Sequence, residues 1–117
     1  MKNPIVRIDT RRITDWRTFH DVFAQALGFP DFYGGNMNAW IDCLTYVDEP
    51  GDEMTSVHAP PGGMLVLQLD NVDDFSARAP ELYAAIIECA AFVNWRRIEM
   101  GKEAVLSLSF RKSPPTH

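Results

Sequence analysis

Two periods in the hydrophobic pattern of the chain predict its strands and helices. Short apolar or β-branched segments at residues 5–9, 64–69 and 104–110 are typical of strands. The middle segment is apolar at nearly every position, which favours a strand buried on both faces of a parallel sheet. The last segment alternates apolar and polar residues, as a strand with one buried face does.

Helical spacing predicts a first helix with a wide apolar face. Large apolar residues recur from Trp16 to Leu27 at intervals of three and four positions. Thr14 is the predicted N-cap, and Gly28 is placed to end the helix, with Pro30 blocking its continuation.

A second, shorter helix is predicted after Asn36, its N-cap. One face of this helix is apolar and another is polar. The apolar face comprises Met37, Trp40, Ile41 and Leu44, and the polar face comprises Asn38, Asp42 and Thr45. The pattern therefore predicts a helix that packs one side on the core and exposes a carboxylate on the other.

A third helix is predicted between Pro80 and Gly101, after a connecting segment at residues 70–75 with at most a turn of helix. Residues 48–63 are rich in acids, prolines and glycines and are predicted to form a long loop. Helical connections between strands indicate a parallel sheet. We therefore expect one α/β domain over residues 1–112, a three-stranded parallel sheet packed with helices, and a disordered tail at residues 113–117.

Length and composition narrow the class of protein. A chain of 117 residues with 46% hydrophobic residues is one ordinary globular domain. The two cysteines are too few for a disulfide framework, so Cys43 and Cys89 are expected as free thiols. The first residues lack the apolar segment of a signal peptide, and no apolar run approaches a membrane span. We therefore expect a cytoplasmic protein that is monomeric when free and does not bind membranes.

The net charge of −5 hides an uneven distribution. No lysine or arginine lies between Arg17 and Arg78, and this base-free stretch contains ten of the sixteen acids. The rest of the chain has six acids and all eleven bases, a formal charge of +5. The stretch is either a solvated acidic surface or a surface for a basic partner, since complementary potentials speed encounter and select partners.

Motifs that carry catalysis or bind cofactors are absent from the sequence. The three histidines lie apart, metal-ligand spacings are missing, and neither a nucleophile elbow nor a phosphate-binding glycine loop occurs. A catalytic pair of Cys43 with a histidine is the one enzymatic alternative that the residues leave open. We therefore expect a protein that is not an enzyme and needs no metal or cofactor.

One segment carries a specific resemblance. Residues 29–48 read FPDFYGGNMNAWIDCLTYVD. The turn around Pro30 and Tyr33, Asn36 after it, and the run from Asp42 to Thr45 resemble the barstar family, intracellular inhibitors of ribonucleases such as barnase. The resemblance implies a barstar-like fold and inhibition by plugging, in which the second helix and the preceding loop enter the nuclease active site and carboxylates mimic RNA phosphates.

The resemblance also implies a set of partner-binding residues. Asp42 matches the most important acid of the family's helix, and Phe32 matches an aromatic that packs on the nuclease's catalytic histidine. Asn38 and Ile41 stand where the family has an acid and a tryptophan, so Asn38 lacks the family's charge. The implied set is Phe32, Tyr33, Gly34, Asn36, Asn38, Ile41, Asp42, Thr45, Tyr46 and Glu88.

Two functional hypotheses follow. In the first, the chain is an immunity-type inhibitor of a ribonuclease or other nuclease toxin, as in toxin–antitoxin pairs, and does not itself bind nucleic acid. In the second, it is a non-inhibitory acidic binding module of the same fold with a basic, non-nuclease partner. Each site residue has a plainer alternative: Asp42 as an ordinary exposed helix acid, and Phe32 and Tyr33 as covers for the core. Trp95, Arg96 and Arg97 either bind an anion or simply suit a helix C-terminus.

Overall fold

A three-stranded parallel sheet is the centre of the fold. The computed structural model describes residues 3–115. The strands are β1 (Ile5–Asp9), β2 (Leu65–Asp70) and β3 (Leu106–Arg111), and β2 lies between the other two. In the register, Ile8 pairs with Leu69 and Leu65 pairs with Leu106. The predicted α/β class and parallel sheet are confirmed.

Burial alternates along β2, so the prediction that both of its faces are buried is wrong. Leu65, Leu67 and Leu69 are fully buried, whereas Val66 and Gln68 are half-buried. The residues of β1 and β3 that pair with Val66 and Gln68 are also exposed or half-buried. The helices therefore cover one face of the sheet, and β2 is apolar on its outward side only at Val66.

Two helices connect β1 to β2, after a short 3-10 helix at Thr10–Arg12. They are α1 (Trp16–Leu27) and α2 (Met37–Thr45). The N-cap of α1 is Asp15, which corrects the predicted Thr14. The Asp15 carboxylate accepts a hydrogen bond from the Thr18 backbone at 2.8 Å, and the Thr18 hydroxyl accepts one from the Asp15 backbone at 3.0 Å. This reciprocal pair satisfies two helix-end donors, whereas a cap side chain acting alone satisfies one.

Two further helices connect β2 to β3: α3 (Val72–Arg78) and α4 (Pro80–Glu99). The connecting segment predicted to hold at most one turn is therefore a helix of seven residues. Arg78 secures its end, because its guanidinium donates to the carbonyls of Thr10 and Ile13 and pairs with Asp74. Thr10 and Ile13 lie more than sixty positions away along the chain, so a local sequence pattern could not predict these two contacts.

The loop at residues 48–63 is attached to the end of α1. It contains a short 3-10 helix at Pro50–Asp52. Gly28 ends α1 with φ of +66°, and the side chain of Ser56 fills the space that a β-carbon there would need. The Ser56 backbone also donates to the Leu27 carbonyl at 2.9 Å. The loop therefore fixes the place where the chain leaves α1 for the turn before α2.

The boundary between the domain and the tail stays a prediction. Ser113 is held by two hydrogen bonds to the Asp73 carboxylate, and Thr116 and His117 lie outside the described residues. Within residues 3–115, each helix is too short or too polar to cross a membrane.

Candidate protein-binding site

The turn before α2 exposes an aromatic ring. Phe32 is 77% exposed, the most exposed of the large apolar side chains. Gly34, two positions further along the turn, is exposed as well. A β-carbon at Gly34 would lie 3.2 Å from Nδ2 of the Asn36 side chain. Asn36 is the N-cap of α2 as predicted, and its side chain accepts a hydrogen bond from the Ala39 backbone at 2.8 Å. The start of α2 and the exposed ring are therefore fixed together.

Tyr33 supports this turn from below. Its ring packs on Phe29, with 4.6 Å between ring centroids, and its hydroxyl forms a hydrogen bond with Nδ1 of His20 on α1. Burial raises the pKa of Tyr33 and lowers the pKa of His20, so both groups are stable in their neutral forms. In that state the Tyr33 hydroxyl donates the hydrogen bond and Nδ1 of His20 accepts it. Tyr33 thus joins α1 to the turn, and little of its surface remains for a partner.

The exposed polar face of α2 is narrower than predicted. Asn38 and Asp42 are exposed, but Thr45 is fully buried and its hydroxyl donates to the Ile41 carbonyl at 2.7 Å. Ile41 is half-buried against the core. A buried hydroxyl satisfied by its own helix has no free group for a partner, so Thr45 does not belong to the exposed surface.

Asp42 forms an ion pair with α4. Its carboxylate accepts a hydrogen bond from the Arg96 guanidinium at 2.8 Å, with 53% of the Asp42 side chain and 36% of the Arg96 side chain exposed. Solvent reaches both groups, so this is a surface ion pair of small net stability. The carboxylate that the family resemblance marks as central therefore already has a counter-ion.

Arg97, the next residue of α4, lies inside the protein. Its side chain is 4% exposed and forms two hydrogen bonds with Asp48, of 2.8 and 3.0 Å. It also donates to the carbonyls of Thr45 and Glu103, each at 2.8 Å. Burial alone would raise the pKa of Asp48, but the hydrogen bonds and charge of Arg97 outweigh it and hold that pKa below its usual range. Arg97 therefore fixes the end of α2 against α4.

Lys102 completes a basic group at the end of α4. Its ammonium donates to Glu49 at 2.7 Å and lies 5.8 Å from the centre of the Tyr46 ring. Tyr46 is half-buried at the end of α2. The sequence analysis missed the partners of Arg97 and Lys102, because the paired residues lie about fifty positions apart. The signal that could have found them is the close spacing of three bases, Arg96, Arg97 and Lys102, together with the acids Asp48 and Glu49 that follow α2.

Half of the acids in the base-free stretch are paired in the structure. Five of the ten form ion pairs with bases from outside it: Asp42, Asp48, Glu49, Asp70 and Asp74. Asp31, which precedes Phe32, is exposed and has no ion pair among residues 3–115. The formal charge of the stretch therefore overstates the negative potential near α2.

Glu88 lies on the exposed side of α4, the helix that packs against α2. The structure thus brings the Asn38–Asp42 face of α2 next to α4, and the turn that carries Phe32 leads directly into α2. It does not bring Tyr33, Ile41, Thr45 or Tyr46 fully to the surface.

Cys43 is not placed as a nucleophile. It is 2% exposed, and burial raises its pKa to about 11, so the thiol is protonated at neutral pH. In the part of the chain that the structure describes, no three histidine, cysteine, aspartate or glutamate side chains converge as metal ligands do.

Comparisons with known proteins identify the family of this chain. The chain matches the model of a family described as Barstar (barnase inhibitor) over residues 3–107. It is also 46% identical over 44 residues to a Bacillus subtilis (strain 168) protein named "Putative ribonuclease inhibitor YrdF". That match covers 37% of this chain and 48% of the relative, so it spans about half of the relative's length. Since the family model covers most of the chain, including β1, β2, every helix and the start of β3, the chain belongs to the barstar family.

Proposed function

We propose that this protein inhibits a ribonuclease, as the immunity partner of a nuclease toxin, by covering the active site with the turn before α2 and the exposed face of α2. The observation that carries the proposal is the exposed Asp42 carboxylate in the middle of α2, a helix that follows directly on the turn with the exposed Phe32 ring. Family membership and the name of the relative support the same role.

The chemistry of a ribonuclease active site suits this surface. Such a site is basic because it binds phosphates, so it attracts a protein that presents carboxylates in their place. Asp42 takes the central charged contact, and Asp31 and Glu88 contribute to the field around it. Phe32 supplies an apolar face that can stack on a ring of the nuclease.

Binding requires Asp42 to exchange one cation for another. In the free protein the Arg96 guanidinium occupies the carboxylate at 2.8 Å. A cation of the nuclease takes over this position, and Arg96 turns to solvent, which costs little because surface pairs of this kind contribute at most about 1 kcal/mol. Inside the complex, water is excluded and the new pair is stronger than the one it replaces.

The test measures how strongly the wild-type chain and its Asp42→Asn variant inhibit a purified ribonuclease. Barnase is the first probe, followed by ribonucleases captured on the immobilised chain from its native cells at low salt. Asp42→Asn is expected to weaken inhibition by at least about 30-fold, because removing one partner of a desolvated charge pair costs about 2–5 kcal/mol. The matched control is Asp52→Asn, an exposed acid of the loop, which is expected to inhibit like the wild type.

A change smaller than about twofold at Asp42 would remove it from the contact. A wild-type chain that leaves every captured ribonuclease active would overturn inhibition itself. The alternative, a binding module for a basic non-nuclease protein, is favoured by two observations: Asp42 is already paired, and Asn38 is uncharged. Salt-sensitive capture of only such a protein would support that alternative.

A further inference from the structure

The outer side of α4 is unusually apolar for an exposed surface. Five large apolar side chains of this helix and its end are at least 36% exposed: Ile87, Phe92, Trp95, Ile98 and Met100. Trp95 is 55% exposed, and its ring lies 5.6 Å from that of Phe92. Exposed apolar side chains that touch one another, as Phe92 and Trp95 do, mark an interaction site more often than single exposed side chains do.

The patch continues the surface proposed for the nuclease. Phe92 and Arg96 are four positions apart, so they are neighbours on the helix surface, and Arg96 touches Asp42 of α2. Trp95 follows on the outer side. The Asp42–Arg96 ion pair joins α2 to α4 at this place. A partner that binds Asp42 therefore has Phe92 and Trp95 next to it on α4.

The charges around the patch select the kind of partner. Glu88 and Glu99 lie at its two ends, both are exposed, and neither has an ion pair among residues 3–115. In a two-fold contact between two copies of α4, the antiparallel helices would bring these acids opposite each other, which is unfavourable. A basic partner is instead attracted by both of these acids.

We propose that the outer side of α4 is a second docking surface for the same nuclease, one that carries an exposed apolar patch bordered by basic residues beside its phosphate-binding cleft. This inference rests on the proposed function and deepens it. Asp42 and the turn recognise the active site, while Phe92 and Trp95 supply apolar contacts that distinguish this nuclease from others with the same basic cleft.

The experiment compares three variants with the wild-type chain in binding to a ribonuclease that the wild-type chain inhibits. Phe92→Gln/Trp95→Gln is expected to weaken binding at least tenfold in calorimetry, with an unchanged dependence on salt concentration. Asp42→Asn is expected to weaken binding and to reduce that salt dependence, because it removes a charge. The matched control is Phe110→Gln, an aromatic residue 51% exposed on β3, which is expected to bind like the wild type.

The outcomes separate the two proposals. A wild-type chain that inhibits no ribonuclease overturns the proposed function, and this inference with it. A wild-type chain that inhibits, together with a Phe92→Gln/Trp95→Gln variant that binds equally well, overturns the inference alone. Loss of a wild-type dimer in sedimentation by the double variant, with unchanged nuclease binding, assigns the patch to self-association instead. Circular dichroism and thermal melting confirm that the variants are folded.

Discussion

Arg96 and Arg97 are adjacent in the sequence, but the environments of their side chains differ. Arg96 pairs with Asp42 in α2, and Arg97 pairs with Asp48 just after α2. Arg96 makes one hydrogen bond, to a carboxylate that faces solvent. Arg97 makes four, to Asp48 and to the carbonyls of Thr45 and Glu103, with almost no exposure.

The difference follows from helix geometry and from the cost of burying charge. Adjacent residues of a helix point about 100° apart, so one side chain reaches α2 at the surface while the other enters the interior. A buried guanidinium must have its donors satisfied, which ties it to fixed partners. An exposed one is solvated in any position and can release its partner. The Arg97 pair is therefore fixed in the structure, whereas the Arg96 pair is free to exchange partners, as the proposed function requires.

The largest expected effect is on stability, from Arg97→Met. Methionine keeps part of the aliphatic stem but leaves Asp48 and two carbonyls without their donors. The free energy of unfolding is expected to fall by about 3–5 kcal/mol, measured by urea denaturation. Arg96→Met is the control in the same helix, and its loss is expected to stay below about 1 kcal/mol. Equal losses for the two variants would contradict this difference between the two pairs.

The second prediction concerns Asp48 and pH. Because the folded-state pKa of Asp48 is lowered, the unfolded chain binds more protons in acid, and the stability from this group is present above the unfolded pKa and lost as pH falls through the folded value. Asp48→Asn is expected to cost about 1–3 kcal/mol at pH 7 and to flatten the decline of stability below about pH 4. Denaturation series at several pH values measure both. A parallel decline in wild type and variant would remove Asp48 from acid unfolding.

The third prediction uses Arg96 to test the exchange of counter-ions. Arg96→Gln frees Asp42 and removes a positive charge that would repel a basic nuclease. Association is expected to become several-fold faster and binding tighter, measured by stopped-flow fluorescence at low salt. Slower association or weaker binding would show that Arg96 orients Asp42 or contacts the partner.

The smallest expected effect is at Lys102. Its pair with Glu49 is partly exposed on both sides, and the hydrogen bond to Glu49 raises the pKa of Lys102. Lys102→Gln is expected to change the free energy of unfolding by less than about 0.5 kcal/mol, and the difference should shrink further in 1 M salt. A loss comparable to that of Arg97→Met would place Lys102 with the structural pairs.

The sequence predicted the parts of this region that depend on local spacing. The cap at Asn36, the apolar face around Trp40 and the carboxylate of Asp42 follow from residues within two helical turns of each other. The parallel sheet followed from the order of strands and helices. Each of these inferences needs only the period of the pattern and a capping residue.

Other features depend on contacts that no local pattern contains. Thr45 lies at a spacing that suggested an exposed polar stripe, but it points inward at the edge of that stripe and bonds to the carbonyl of Ile41. The partners of Asp48 and Arg78 lie about fifty or more positions away. The acidic stretch was summed as if its charges were free, whereas two arginines of α4 and Lys102 just after it pair with three of the acids.

The attachment of the loop to α1 has a consequence for how this chain can vary in length. Ser56 fills the space beside Gly28 and bonds to Leu27, and Thr55 and Ala59 are buried. Residues 50–53 are exposed and form the short 3-10 helix and its C-cap. Insertions should therefore be tolerated at residues 50–53 and rejected at residues 55–59, where they would pull the end of α1 away from the turn that carries Phe32.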